Sequence, residues 1–416
     1  MFRINRFQQL LQFLPRSTFE GMVTRHKADK HSKGFGCWDQ LVCMLYAQLS
    51  GASSLRVLEA GFNSQSRHHY HLGVGPIKRT TLADANARRD TAVFEEAVRT
   101  LMAAVARPVR QQSQELMYLL DSSPIALQGR HFDSWTQHNK TRHTQGLKLH
   151  VLLNNQHQVP HWHSITAPNV NDLSEGHRVP IEPGARYVFD KGYCDYSWWH
   201  SIHQTQAFFV TRFKRNAKLQ VLHSSPVSDA DRSWLLSDEQ VLLSNKYPRG
   251  GRVNPYDKPL RRVVIKREGH ATALVLATND LQSPASEIAS QYKQRWGIEL
   301  FFKWIKQHLR IKSFLGRSAN AVRLQILTAL IAYLLLSLIN RAQGHKKSLW
   351  MLLAEVRESL FNQLEEQSAY GIRQAKAKRA PDVEKPSNFI RLTTMLIYSG
   401  QQCAFAGMTE AASNPT

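Results

Sequence analysis

Two short apolar runs, each closed by an aspartate, constrain this chain more than any other feature. Leu116-Met117-Tyr118-Leu119-Leu120 runs into Asp121, and Arg186-Tyr187-Val188-Phe189 runs into Asp190, 69 residues further on. Continuous apolar stretches of this length, bounded by turn residues, read as buried strands. Between them Leu147–Leu153 and His161–Thr166 read as two more strands, and Asn169-Val170-Asn171-Asp172 as a turn that opens a helix. After Asp190 a helix over Tyr196–His203 leads to the strand Ala207–Val210 and the basic segment Thr211-Arg212-Phe213-Lys214-Arg215-Asn216. Three hairpin strands followed by strand, helix and strand make a mixed α/β sheet.

The flanks have different periods. Leu41, Val42, Leu45 and Leu49, then Leu55, Leu58 and Phe62, follow helical spacing, and Val93 to Val105 continues as an amphipathic helix. Thr81 with Asp84 three residues on predicts a cap opening a short helix that carries Asn86, Arg88 and Arg89. Residues 1–110 hold 16 basic and 8 acidic side chains, which suits a helical DNA-binding module and equally a helical cap on the next domain. Residues 218–280 read as a β-rich insertion of short strands, with Trp234 its only tryptophan. Ser283-Pro284 with Glu287 predicts the start of a long helix reaching Leu309. The apolar stretch Leu324–Ile339 falls short of the roughly 20 residues of a membrane span and predicts a core helix. A further helix is expected over Leu349–Leu364. Beyond it come a basic stretch (Arg373, Lys376, Lys378, Arg379) and a tail without a period after Pro381. The expected domains are therefore 1–108, helical; 109–217 and 281–345, the two parts of an α/β core; 218–280, the insertion; and 346–416, a helical region and tail.

Charge narrows the partners. Lys plus Arg is 54 against 32 for Asp plus Glu, a formal charge of +22. An excess of this size points to a polyanion, nucleic acid before an anionic membrane, because each neutralised phosphate releases counterions. Cys37, Cys43, Cys194 and Cys403 form no C-x-x-C pair, which argues against a zinc ribbon and fits a reducing, intracellular compartment. The histidine clusters (His68, His69, His71; His161, His163) lack a cysteine partner at ligand spacing and read as polar turns and strand surfaces.

The chemistry gathers on three elements. Asp121 and Asp190 at the ends of adjacent strands would put two carboxylates at one sheet edge, the oxygen ligands a hard divalent cation takes, although a single acid after a strand is more often a turn-maker. In the helix over 291–311, Tyr292, Arg295, Glu299 and Lys306 fall within a sector of roughly 60°, with Leu300, Phe301, Trp304 and Ile305 opposite. By geometry alone that stripe is also compatible with a solvated face on which Glu299 pairs with Arg295.

The order Asp, Asp, Tyr-x-x-Arg-x-x-x-Glu-x-x-x-x-x-x-Lys resembles the DDE transposases of bacterial insertion sequences, and among them the insertion-sequence-four family. Tyr292, Arg295, Glu299 and Lys306 match its four-residue signature, Asp121 in LLDSS the first acid and Asp190 in VFDKGY the second. Thr166–Asp172, Arg212-x-Lys214 and TLADANARRD at 81–90 are also similar to the family.

The resemblance implies an RNase H-like core interrupted by the insertion and preceded by a helical DNA-binding domain. It implies a cut-and-paste enzyme that binds terminal inverted repeats, cuts the ends and joins them to target DNA. Two Mg²⁺ ions, replaceable by Mn²⁺, would sit on Asp121, Asp190 and Glu299. Tyr292, Arg295, Lys306, Arg212, Lys214, Arg88 and Arg89 would contact double-stranded DNA, and Trp234 would stack on an extruded base. A homodimer in the synaptic complex and a bacterial cytoplasmic, nucleoid-associated location are further expectations. The competing expectations are a catalytically inactive DNA-binding relative and a structure-specific nuclease on the same fold.

Overall fold

The computed structural model describes residues 4–112, 116–139, 144–244, 253–344 and 347–363. The basic stretch around Arg373, the tail after Pro381 and Cys403 lie outside them.

Seven helices come first: α1 (Arg6–Leu11), α2 (Arg16–His26), α3 (Cys37–Ser50), α4 (Leu55–Asn63), α5 (His69–Leu72), α6 (Arg79–Arg88) and α7 (Ala92–Gln112). Their ends follow local chemistry. Asn5 and Gln8 form a reciprocal capping box on α1, the Ser54 hydroxyl caps α4, and Gly51 ends α3 in the left-handed conformation at φ +72°. Helix α6 starts two residues before Thr81, which therefore lies in its first turn instead of capping it.

The strands are β1 (Met117–Ala126), β2 (Gln137–Asn139), β3 (Thr144–Asn154), β4 (Val159–Thr166), β5 (Arg186–Phe189), β6 (Phe208–Arg212), β7 (Leu219–Ser225), β8 (Leu235–Leu243), β9 (Leu260–Ile265) and β10 (Leu274–Thr278). Helices α8 (Asp172–Gly176) and α9 (Tyr196–Gln204) fall between β4 and β6. All ten strands form one sheet in the order β2-β3-β1-β5-β6-β10-β9-β8-β7, with β4 also on β3. Strand β1 is antiparallel to β3 and parallel to β5, and β5 is parallel to β6. The insertion strands do not form a sheet of their own. Strand β10 pairs antiparallel with β6 (Thr278 opposite Val210), so the insertion extends the central sheet.

Alternation along the strands sorts their side chains to two faces. Tyr118, Leu120, Tyr187, Phe189 and Phe209 pack with Trp198, Trp199 and Ile202 of α9 on one face. Leu119, Val151, Leu153, Val188 and Val210 face the other. There α10 (Ala285–Gln294), α11 (Trp296–His308) and the apolar α12 (Ala319–Ala342) cover the sheet, and α13 (Leu349–Ser359) packs on α12. Helix α12 is the one described helix that by itself is long and apolar enough to cross a bilayer, and 94% of that stretch is buried within the protein.

The same apolar cluster runs without a break from Phe7, Leu41 and Phe94 through α12 to Leu119 and Val188. Gln48 of α3 donates to the Gln325 carbonyl of α12, and Asn320 of α12 donates to the Asn86 and Arg89 carbonyls at the end of α6. The N-terminal helices and the sheet therefore share one core, with α12 as the common element.

Candidate active site

The register of β1 on β5 sets Leu120 beside Phe189, so Asp121 and Asp190 are the next residues in line on neighbouring parallel strands. Strands lie about 4.8 Å apart, which brings the two acids to one edge. Alternation turns Asp121 and Asp190 toward the face of Leu119 and Val188, the face that α11 crosses. Arg295 stands at a break: the helix expected as one piece is two, α10 ending at Gln294 and α11 starting at Trp296. Gly297 sets how closely α11 approaches β1, because a Cβ there would meet Leu119 Cδ1 and Gln158 Nε2 at 3.1 Å.

Arg295 ties the site together. Its Nη2 donates to Glu299 Oε1 at 2.5 Å, its Nη1 lies 3.5 Å from Asp121 Oδ2, and its guanidinium sits 6.0 Å from the centre of the Tyr292 ring. Asp190 pairs instead with Arg212 at the end of β6. Lys306, two turns beyond Glu299, donates to Ser123 Oγ at 2.7 Å and to the Pro124 carbonyl at 2.8 Å, clamping the end of β1. The Tyr-Arg-Glu-Lys stripe thus faces β1, not solvent. Leu300, expected opposite the stripe among apolar neighbours, is exposed together with Trp296, while Phe301 and Ile305 are buried.

Burial lifts the Asp121 carboxyl to about 6; Glu299 and Asp190 push the same way, against the Ser122 amide and Arg295. At Asp190 burial also pushes upward, but Arg212 overrides it and holds the carboxyl below its ordinary value. Burial alone would lower the Arg295 guanidinium, yet Tyr292, Glu299 and Asp121 raise it, so it stays charged. An acid raised chiefly by burial, with like-charged neighbours adding to it, is one whose charged form is poorly solvated where it stands. Three carboxylates are also the donor set that Mg²⁺ and Mn²⁺ prefer. Among the described residues no three Asp, Glu, His or Cys side chains close around one point; at this edge Arg295 bridges Asp121 and Glu299, and Arg212 pairs with Asp190. The donors fit divalent cations chemically, in an arrangement where cations would replace arginines.

The other expected contacts divide. Arg88 is exposed, 3.8 Å from Asp84. Arg89 is turned inward, donating to Gln40 Oε1, Ser32 Oγ and the Phe35 carbonyl, with its side chain 12% exposed. Asn86 is buried against Gln40. Lys214 donates to the Cys194 carbonyl, and Arg215 beside it is exposed. Trp234 is half-buried against the apolar cluster, its indole N–H donating to Asp231 Oδ1 at 3.1 Å.

One group of residues went unmarked in the sequence. Lys148 and His150 are alternate polar residues within the apolar run Leu147–Leu153, and both point at Asp172: Lys148 Nζ is 3.1 Å and His150 Nδ1 3.7 Å from its Oδ1. Burial holds His150 well below the ordinary imidazole range and therefore neutral at pH 7. The signal was present, since polar residues at period two inside an apolar strand mark one polar face.

The spacing at Gly297 gives a direct expectation. Gly297→Ala asks Leu119 and Gln158 to yield by a few tenths of an ångström and should retain activity within about tenfold. Gly297→Val drives α11 off β1, separates Glu299 from Asp121, and should lower single-turnover activity at least about 100-fold with the fold kept. Equal activity of the two variants, with unchanged melting, would show that the approach of α11 does not set the site.

Sequence comparison gives the site its relatives. The profile of the transposase DDE domain matches residues 112–335, and a domain of unknown function (DUF4372) matches residues 3–75. The chain is similar to a putative transposase, y4zB, of Sinorhizobium fredii, 44% identical over 262 residues, covering 62% of this chain and 71% of that protein. It is 27% identical over 248 residues to a probable transposase for insertion sequence element IS5377 of Geobacillus stearothermophilus, covering 57% of this chain and 62% of that one. It is 25% identical over 265 residues to a putative transposase for insertion sequence element IS4SA of Synechocystis, covering 62% and 71%. A solved structure, the piggyBac transposase synaptic complex with hairpin DNA, aligns at a TM-score of 0.45 and 12% identity over 94% of this chain and 89% of that one.

Proposed function

Because the chain belongs to the transposase DDE domain family, we propose that it is a cut-and-paste DNA transposase whose reaction centre is the edge formed by Asp121, Asp190 and Glu299. The observation that carries this reading is the Arg295 guanidinium set between Asp121 and Glu299, with Arg212 on Asp190 beside them. Two acids after parallel strands and a third on the helix above them, balanced by arginines, suit cation-assisted phosphoryl transfer on a DNA backbone. The order β4-β3-β1-β5-β6, antiparallel for three strands and parallel for the rest, supports an RNase H-like core.

Divalent cations held by the three carboxylates would activate the attacking hydroxyl and neutralise the leaving oxygen. The chain's own groups do the positioning. Arg295, which bridges Asp121 and Glu299, is placed to grip a phosphate at this edge through two parallel N–H bonds, a fork that lysine lacks. Tyr292 beneath it keeps the guanidinium plane in place. Lys306 spends two of its three donors on β1 and keeps one for phosphate. Arg88 and Arg215 are each exposed and available to duplex DNA, and a second copy of the chain would hold the other element end.

The test is the full chain with duplexes bearing its own element ends and a target plasmid. Mg²⁺ or Mn²⁺ should yield nicked ends and then joined products. Ca²⁺ should support binding without cutting, because its looser coordination misplaces the nucleophile. Cutting at full rate in chelator would remove the metal assignment, and cutting with no joined product would make the protein a nuclease.

A further inference from the structure

Asp121 leans to the face of the sheet under α11, but the residue after it leans the other way. Ser122 takes the opposite face, where its hydroxyl donates to Asp172 Oδ1 at 2.8 Å, while its amide donates to Asp121 Oδ1 at 2.7 Å. Asp172 opens α8 and also accepts from Lys148, which donates in turn to the Val170 carbonyl at 2.8 Å. The helix that Asp172 opens, α8, packs on the turn that follows Asp190, where a Cβ on Gly176 would meet Tyr193 Cδ1 at 3.4 Å. Asp172 is thus bonded to the residue after Asp121 and opens the helix that packs on the segment after Asp190.

A shielded Lys–Asp pair is a poor way to gain stability, because desolvation cancels most of the attraction. It is a good way to fix a position, since any shift of Asp172 breaks several bonds at once. We propose that Asp172 is a positioning residue of the reaction centre: held by Lys148, it pins Ser122 to the start of α8, the helix seated on the turn after Asp190, and so fixes the separation of Asp121 and Asp190. The inference rests on those two acids being the reaction centre. Outer-shell partners of metal-binding carboxylates act in this manner, and their loss costs about 10–100-fold in metal affinity or activity.

The experiment uses the full-length chain with Ser122→Ala, Asp172→Ala and Asp172→Asn. Mn²⁺ binding is read by isothermal titration, single-turnover nicking of end DNA as a function of Mn²⁺, and folding by melting temperature. Asp172→Ala and Ser122→Ala should each weaken Mn²⁺ binding about 10–100-fold and shift the Mn²⁺ dependence of nicking equally, with end binding within about twofold. Asp172→Asn keeps an acceptor for Ser122 and should restore most of the affinity. Wild-type Mn²⁺ affinity in both alanine variants overturns the proposal, as does an asparagine variant no better than alanine. If Asp172→Ala does not fold, Ser122→Ala decides alone, and wild-type affinity there is fatal. A wild-type chain that neither binds Mn²⁺ nor nicks removes the underlying reading and the inference with it. A wild-type chain that does both, beside unchanged alanine variants, removes the inference only.

Discussion

Replacing Glu299 by Gln, or Asp121 or Asp190 by Asn, is expected to lower cutting of end DNA by about 10³-fold or more, roughly 4 kcal/mol of transition-state stabilisation. Each exchange keeps the side chain's size, removes one charge and turns one acceptor oxygen into an amide donor, leaving the apolar core beneath the site as it was. Duplex affinity should respond in the opposite sense. In the free protein Arg295 is shared between Asp121 and Glu299, and Arg212 is held by Asp190. Removing an acid releases part of that guanidinium to the phosphates and takes a negative charge from the DNA path. End binding in chelator should therefore be unchanged or tighter. Binding that falls in step with cutting, together with a lowered melting temperature, would mean that the acids serve the fold and not the reaction.

The parts of this site that were legible in the sequence are those fixed by local pattern. Asp121 and Asp190 stand where apolar runs end, and a run that ends in an acid gives the strand and its mouth together. Glu299 was singled out by its place in the Tyr-x-x-Arg-x-x-x-Glu signature, while helical spacing alone put it on one stripe with Tyr292 and Arg295. What that stripe faced was not legible, since a solvated face and a face turned to β1 share the same period. The difference lies in Gly297 and Lys306, whose contacts with Leu119, Ser123 and Pro124 join residues more than 170 positions apart.

Neighbouring arginines make the same point. Arg88 and Arg89 are equivalent in composition, but the chain turns from helical to extended at Arg89 (ψ 137°), which sends one guanidinium out and the other into the interior under Phe35. The pairing of β6 with β10, which makes the insertion part of the central sheet, and the burial of α12 between the N-terminal helices and β4 are long-range choices. Amphipathic pattern shows that a face must be covered without showing what covers it.

Asp280→Asn is expected to cost about 3–5 kcal/mol of stability at pH 7, because it strands a shielded guanidinium. Asp280 and Arg186 meet at 2.7 Å with side chains 5% and 12% exposed. The carboxylate also accepts the Ser283 hydroxyl at 2.6 Å and the amides of Gln282 and Ser283 at 3.0 and 2.9 Å. This cluster ties the first residue of the strand ending in Asp190 to the turn from which α10 and then Glu299 follow, and so braces the site from its far side. Burial alone would raise the Asp280 carboxyl, but Ser283, Arg186 and Gln282 outweigh it and bring it down to about 2. An unfolded aspartate titrates near 3.9. The sign follows from the lowered value: the stabilisation is fully present above about pH 4 and fades as pH falls toward 2, and its titrating part is roughly 2–3 kcal/mol. The stability difference between the wild type and Asp280→Asn, read from urea unfolding, should therefore be constant from pH 7 to pH 5 and narrow by roughly 1–2 kcal/mol by pH 2.5. A difference that persists unchanged at pH 2.5 would place the contribution of Asp280 in packing and not in charge. Exchanging both partners, Asp280→Leu with Arg186→Met, should cost less than Asp280→Asn alone, since no charge is then left buried without its partner.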